Sequence, residues 1–294
     1  MPKLNEQKIA IKISIVSIAV NIGLSIFKFF AGFFGHSSAL ISDSIHSASD
    51  VFSTVIVIIG VKISGKAADE GHQYGHERFE SLAAILLAIF LGLTGLGIGY
   101  EGLKNILDGS YLLATPPTII TVVAATTSIV IKEAMYWYTR HGAKKIKSDI
   151  LMADAWHHRS DSLSSIGSLI GVVGARAGYE ILDPIAAIVI CFFILKVGYS
   201  IFKDGTNKMV DTALSPELTS TITREIKETK GVIDIDAMKT RQFGNKAYID
   251  VEISAYGELT LNEAHDIAVT VHNKIERLHP EVKHCMVHVN PKIY

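Results

Sequence analysis

The stretch Asp43-Ser-Ile-His-Ser-Ala-Ser-Asp50 interrupts an otherwise apolar segment, and its reading decides that of the whole chain. Residues Asp154-Ala-Trp-His-His-Arg-Ser-Asp161 repeat it. Both follow D-x-x-H-x-x-S-D-x-x-S, through Asp43, His46, Ser49, Asp50 and Ser53, then through Asp154, His157, Ser160, Asp161 and Ser164. On a helix, residues four apart share a face one turn from each other, so each copy sets an imidazole beside a carboxylate. Two such helices facing each other offer two nitrogen and two oxygen ligands, a tetrahedral set suited to a divalent ion such as zinc. A charged aspartate at mid-membrane costs about 2.5–3.5 kcal/mol on insertion scales and usually marks a functional path. Polar groups in apolar helices also serve simply to bond helices together. The same spacing twice in one chain favours the ligand reading.

Outward from these copies, 49% of the 294 residues are hydrophobic and 19% charged, with a mean hydropathy of +0.33. That is the composition of a membrane protein carrying a soluble part. A net charge of −1 gives no bulk attraction to nucleic acid. The two cysteines, Cys191 and Cys285, make neither a disulfide framework nor a CxxC metal site. The run from Ile13 to Phe34 follows Lys3, Lys8 and Lys12; it is too long for a signal peptide and has no small-residue cleavage site. It reads as a first spanning helix, with Lys28 snorkelling near its far end. Five more spans follow at about 38–64, 79–107, 118–138, 149–177 and 183–203, each near or above the roughly 20 residues that cross a bilayer. An even number puts both termini on one side. Lys66, Arg78, Arg140, Lys144, Lys145 and Lys147 join the N-terminal lysines there, while connections 35–37, 108–117 and 178–182 hold no Lys or Arg. That side is cytoplasmic.

From about Asp204 the composition becomes that of a soluble domain. Residues 216–229 form an amphipathic helix started by Ser215-Pro216. Val232–Gln242 and Ala247–Ala255 are strands joined by a turn, Leu261–Leu278 is a helix, and Cys285–Val289 is a third strand. The order α-β-β-α-β gives a small sheet covered by helices, an α+β domain. Between the second and third spans, Asp69, His72 and His76 make a D-x-x-H-x-x-x-H spacing, and Gly71 and Gly75 supply a turn on which three ligands converge. Loop histidines are also often merely solvated.

These features together resemble the cation diffusion facilitator family of divalent metal/proton antiporters, and the resemblance covers the whole chain. It implies a mainly α membrane protein, with six transmembrane helices over 1–208 and a cytoplasmic, ferredoxin-like, metallochaperone-like dimerisation and regulatory domain over 209–294. It implies a transport site at His46, Asp50, His157 and Asp161, a loop site at Asp69, His72 and His76, and a C-terminal site at Asp236, Glu252, His265 and His288. Where zinc-loaded relatives carry His at the first two C-terminal positions, this chain has Asp236 and Glu252, and Asn290 stands where Asp is often found, so a weak or single site is expected. Cys285 either joins His288 or is packed as an ordinary strand cysteine. Arg78 and Asp211 match a charge lock at the dimer hinge, or are an ordinary surface pair.

Two His and two Asp favour Zn²⁺, with Cd²⁺ as passenger and Fe²⁺ or Mn²⁺ as further substrates. Asp43 and Asp154, three residues before each His, either orient the imidazoles or line the entry path, and Asp43 also stands where a helix cap would. The expected activity is export of divalent metal from the cytoplasm in exchange for protons, by a homodimer in the cell membrane. No enzymatic activity, catalytic residue or catalytic cofactor is expected: no P-loop and no H-E-x-x-H is present, and a catalytic zinc keeps an open position that this set would fill. The competing reading is a membrane metal sensor that binds without transporting, although a sensor has no need of ligands buried on two facing helices.

Overall fold

The computed structural model describes the backbone of residues 2–34, 38–110, 119–176, 179 and 181–292. Its description excludes the side chains of 2–5, 32, 38–43, 45, 46, 49, 52, 119, 121, 164, 167, 168, 170–176, 182, 183, 186, 187 and 190. The chain forms two compact units, Met1–Gly205 and Thr206–Tyr294.

Among the described residues, six long helices lie wholly or mostly in the first unit: α1 Pro2–Phe34, α2 Ser38–Ser64, α3 Arg78–Asp108, α4 Ile119–Ile146, α5 Asp149–Arg176 and α6 Leu182–Met209. Among the described residues, Glu6–Ala31 and Arg78–Asp108 are long and apolar enough to cross a membrane on length and hydropathy alone. The polarity of the bundle is inverted relative to a water-soluble one. Large apolar side chains such as Phe30, Phe33, Leu93, Tyr100, Phe192 and Phe193 face outward, whereas Ser14, Ser17, Asn21, Lys28, Ser47, Asp50 and Lys132 are buried. Helices in lipid gain nothing by hiding leucine from hydrocarbon, so small and polar residues take the interfaces. Helix α1 packs along α2, α4 along α5, and α3 against α2 and α5. An apolar cluster of Ala10, Ile13, Val57, Val61, Ala84, Leu87, Ala143, Ile150 and Leu151 closes one end of this packing.

Lys28 does not snorkel. It is buried and donates to Ser47 Oγ on α2 at 2.9 Å, because α2 offers a hydroxyl along its α1-facing side where an interface would otherwise be out of reach. Several helices also outrun the expected spans. Helix α4 continues from the apolar run through Arg140, Lys144 and Lys145 to Ile146, since Lys and Arg are good helix formers and only the hydropathy, not the helix, ends at the first charge. The lysine-free connections at 35–37, most of 108–117 and part of 178–182 lie outside the described residues.

The second unit runs α7 Pro216–Lys227, β1 Asp234–Phe243, β2 Lys246–Tyr256, α8 Leu261–Leu278 and β3 Val282–Lys292. Ser215 caps α7, with its side chain accepting from Leu218 N–H, and Thr260 with Glu263 forms a reciprocal capping box on α8. The sheet order is β1-β2-β3, antiparallel between the first two and parallel between the last two. Ile222, Ile226, Ile249, Val251, Ile253, Val271, Ile275 and Cys285 form its core, so both helices cover one face of the sheet.

Candidate metal centre

Helix α2 presents Asp50, and α5 presents His157 and Asp161. All three are buried, and one ligand atom from each lies within 4.8 Å of the others. His157 Nε2 stands 3.4 Å from Asp50 Oδ1, so an imidazole nitrogen of one motif faces a carboxylate of the other. His46 lies on α2 one turn before Asp50, but its side chain and that of Asp43 are outside the described residues. The motif serine Ser53 is not aimed at the cluster: its hydroxyl donates to the Asp50 carbonyl at 2.7 Å. An i−3 back-bond of this kind satisfies a hydroxyl within its own helix.

Two residues outside the sequence-based set enter the same interior. Lys132 of α4 is buried, and its Nζ donates to Asp50 Oδ2 at 2.5 Å and to Asp161 Oδ2 at 2.8 Å. A lysine in the middle of the apolar run Ser-Ile-Val-Ile-Lys was the available signal, because an intramembrane cation needs a named partner. His158 is the second: Asp154 Oδ2 lies 3.6 Å from His158 Nε2, one turn along α5. Asp154 therefore faces His158, whereas its spacing pointed to His157. The cause is geometric: positions four apart on a helix align better than positions three apart in this long α5.

The loop residues also converge. Asp69 Oδ1 accepts the His72 N–H at 2.7 Å, and Asp69 Oδ2 lies 3.3 Å from His76 Nε2. The imidazole rings of His72 and His76 are 4.4 Å apart between centroids. His76 is buried with Nδ1 against the Ala67 carbonyl at 3.1 Å, while Asp69 and His72 are about half exposed, at 55% and 51%. That carbonyl contact fixes the ring and leaves Nε2 toward Asp69. The His72 backbone N–H, with His76 close by, holds the Asp69 carboxyl below its ordinary value. Gly75 takes the left-handed conformation, φ 95°, that folds His76 back; Gly71 is not in that region.

The C-terminal set is not brought together within one chain. Asp236 lies on the open sheet face, accepting from Ser254 Oγ at 2.7 Å and Asn290 Nδ2 at 2.9 Å. Glu252 and His288 are exposed register neighbours in β2 and β3, whereas His265 is exposed on α8 in the helical layer that covers the other face. The sheet separates His265 from the rest. Cys285 cannot join His288, since an odd separation on a strand puts their side chains on opposite faces. It is packed in the core, and burial pushes its thiol up to about 12, with Glu276 and Asp250 adding to the effect. A different trio, His272, Glu276 and His284, does come together. It caps the free edge of β3: Glu276 Oε1 accepts the Cys285 N–H and His272 Nδ1 meets the Cys285 carbonyl at 2.9 Å. Arg78 opens α3 in the first unit, and Asp211, at φ 58°, lies in the second.

Residues 14–210 match the model of the cation efflux transmembrane domain, and residues 214–292 that of the cation efflux protein cytoplasmic domain. An uncharacterized transporter of Methanocaldococcus jannaschii is 36% identical over 276 residues, 94% of this chain and 96% of that one. The manganese efflux system protein MneS of Bacillus subtilis is 31% identical over 278 residues, 95% of this chain and 94% of that one. Metal tolerance protein C1 of Arabidopsis thaliana is 32% identical over 295 residues, but this chain spans only 62% of its length. With both of its domains matched and full-length relatives above 30% identity, the chain belongs to the cation diffusion facilitator family of cation-efflux membrane transporters.

Proposed function

We propose that the chain exports a first-row divalent metal ion from the cytoplasm across the cell membrane in exchange for protons. The observation that carries the reading is the buried meeting of Asp50 with His157 and Asp161, contributed by two different helices. Carboxylate and imidazole together bind divalent ions, and buried ionisable groups in a bundle of this polarity are expensive unless they serve a path. His46, one turn before Asp50 on α2, is taken as the fourth ligand, on its sequence spacing. Imidazole must be neutral to ligate, so protons and metal compete for it. Metal bound from the cytoplasm and expelled as protons arrive from outside gives exchange without ATP.

The loop at Asp69, His72 and His76 is read as a second, accessory metal site. All six long helices are taken to span the membrane, with both termini cytoplasmic. The second unit is taken to dimerise the chain and to regulate it, with Asp236, Glu252 and His288 on the open sheet face as a weak metal site.

The imidazole in the set favours Zn²⁺. Mn²⁺ is the second reading, favoured by the similarity to MneS, a manganese efflux protein by name. The test is flux of Zn²⁺ and Mn²⁺ into sealed liposomes against an imposed pH gradient, beside Asp50→Ala and Asp161→Ala. Gradient-driven flux lost in both variants supports the exchanger. Flux unchanged in the variants removes the site. A folded protein that binds metal but moves none is the sensor.

A further inference from the structure

We propose that Lys132 is a tethered counter-cation: in the metal-free carrier its ammonium holds the place of the transported ion between Asp50 and Asp161, and it withdraws before metal binds. The inference rests on the reading of Asp50, His157 and Asp161 as the transport site.

Lys132 comes from α4, which carries neither copy of the motif, yet its Nζ reaches one carboxylate of each copy, at 2.5 Å on α2 and 2.8 Å on α5. All three side chains are buried, so water supplies little of the ammonium's solvation. A divalent ion on the same carboxylates would sit about 2.0–2.2 Å from their oxygens. Its position and that of the ammonium overlap. The charges lead the same way. Two carboxylates and one ammonium leave the centre at net −1 with His157 neutral; adding a divalent ion with the ammonium still in place would leave net +1 in a water-poor interior.

A carrier that has released its metal must return with protons alone, and the paired carboxylates of Asp50 and Asp161 inside the membrane oppose that step unless their charge is compensated. Lys132 supplies the missing positive charge from within the protein. Lysine suits the role better than arginine, since a compact ammonium on a flexible stem can swing away whereas a guanidinium fork is held by its geometry. A lysine kept only for packing would need one carboxylate partner; this one bridges two, both of them ligands.

The test is calorimetric titration of Zn²⁺ and Mn²⁺ at fixed pH into the purified full chain. Lys132→Gln, Lys132→Met and Asp161→Asn are compared with the wild type. The expected result is that both Lys132 variants bind metal at this centre at least tenfold more tightly, while Asp161→Asn loses that binding step and keeps the one of the Asp69–His76 loop. In liposomes both Lys132 variants keep metal-for-metal exchange, which never needs the empty carrier to return, but lose most net flux. Binding no tighter than wild type in the Lys132 variants, with Asp161→Asn still inactive, overturns the counter-cation and leaves the transport site standing. Wild-type binding by Asp161→Asn overturns both. A Lys132 variant that is monodisperse only with Zn²⁺ present supports the proposal, because the metal then replaces the missing ammonium. One that aggregates with and without Zn²⁺ overturns it.

Discussion

His157 is the residue that most separates the two metal readings. It is the described nitrogen donor in a cluster otherwise made of carboxylates, and nitrogen ligands suit zinc while carboxylates suit manganese. His157→Asp is therefore expected to weaken Zn²⁺ binding tenfold or more and to change Mn²⁺ binding less, read by competition titration; equal losses for both ions would remove His157 from the selectivity argument. Cys285 offers a second residue-scale prediction. Its thiol is raised from 9.0 to about 12 by burial first and by the Glu276 and Asp250 charges next. A raised folded value means that the contribution of the neutral thiol to stability is complete below pH 9 and is lost as pH rises toward 12. Iodoacetamide at pH 8 is expected to reach Cys285 only after unfolding. Rapid labelling of the folded chain would contradict the packing. Of this residue-scale detail, Asp50, His157 and Asp161 were legible because a four-residue helical spacing is a local property, written twice. Lys132 was not, because its partners are far away in sequence, on α2 and α5, and only the packing of α4 against α5 brings it to them.

At the scale of elements, what positions the site is the close approach of α2, α3 and α5. Gly60 of α2 sits where a methyl group would lie 2.5 Å from Ile150 Cδ1 and 2.7 Å from Ala83 Cβ. The isoleucine tip can turn aside, but the alanine methyl is fixed to α3. Gly60→Ala should therefore push α2 off its neighbours and cost about 1–3 kcal/mol, seen as a lower thermal midpoint in detergent, together with weaker metal binding because Asp50 rides on the same helix. A midpoint raised by the alanine's better helix propensity would mean that the helices have room to spare. The element order was legible from apolar runs and caps, including α8 from Leu261 to Leu278. Helix ends were less so, since α4 and α6 continue past their apolar runs through lysines that favour helix as well as solvent. The pairing of β3 parallel to β2 and the capping of its edge by α8 depend on contacts between segments that periodicity does not encode.

For the whole molecule, the direction of transport depends on which side the loops face. Lys66 and Arg78 flank the Asp69–His76 loop, and Arg140, Lys144, Lys145 and Lys147 lie between the fourth and fifth helices. Positive charge in short loops stays cytoplasmic, so the histidine loop should meet metal inside the cell, on the side from which an exporter must load. Ser110, just past the left-handed Gly109 that ends α3, belongs to the opposite set of connections. In a chain carrying Cys191→Ser and Cys285→Ala, a cysteine introduced at Ser110 should react with a membrane-impermeant maleimide in intact cells. One introduced at Gly71, an exposed loop position whose added side chain meets only Asp69 Oδ1 at 3.6 Å, should react only after the membrane is opened. The reverse pattern would place the histidine loop outside, turn the same ligands into a capture site for uptake, and overturn export while leaving the metal centre itself intact.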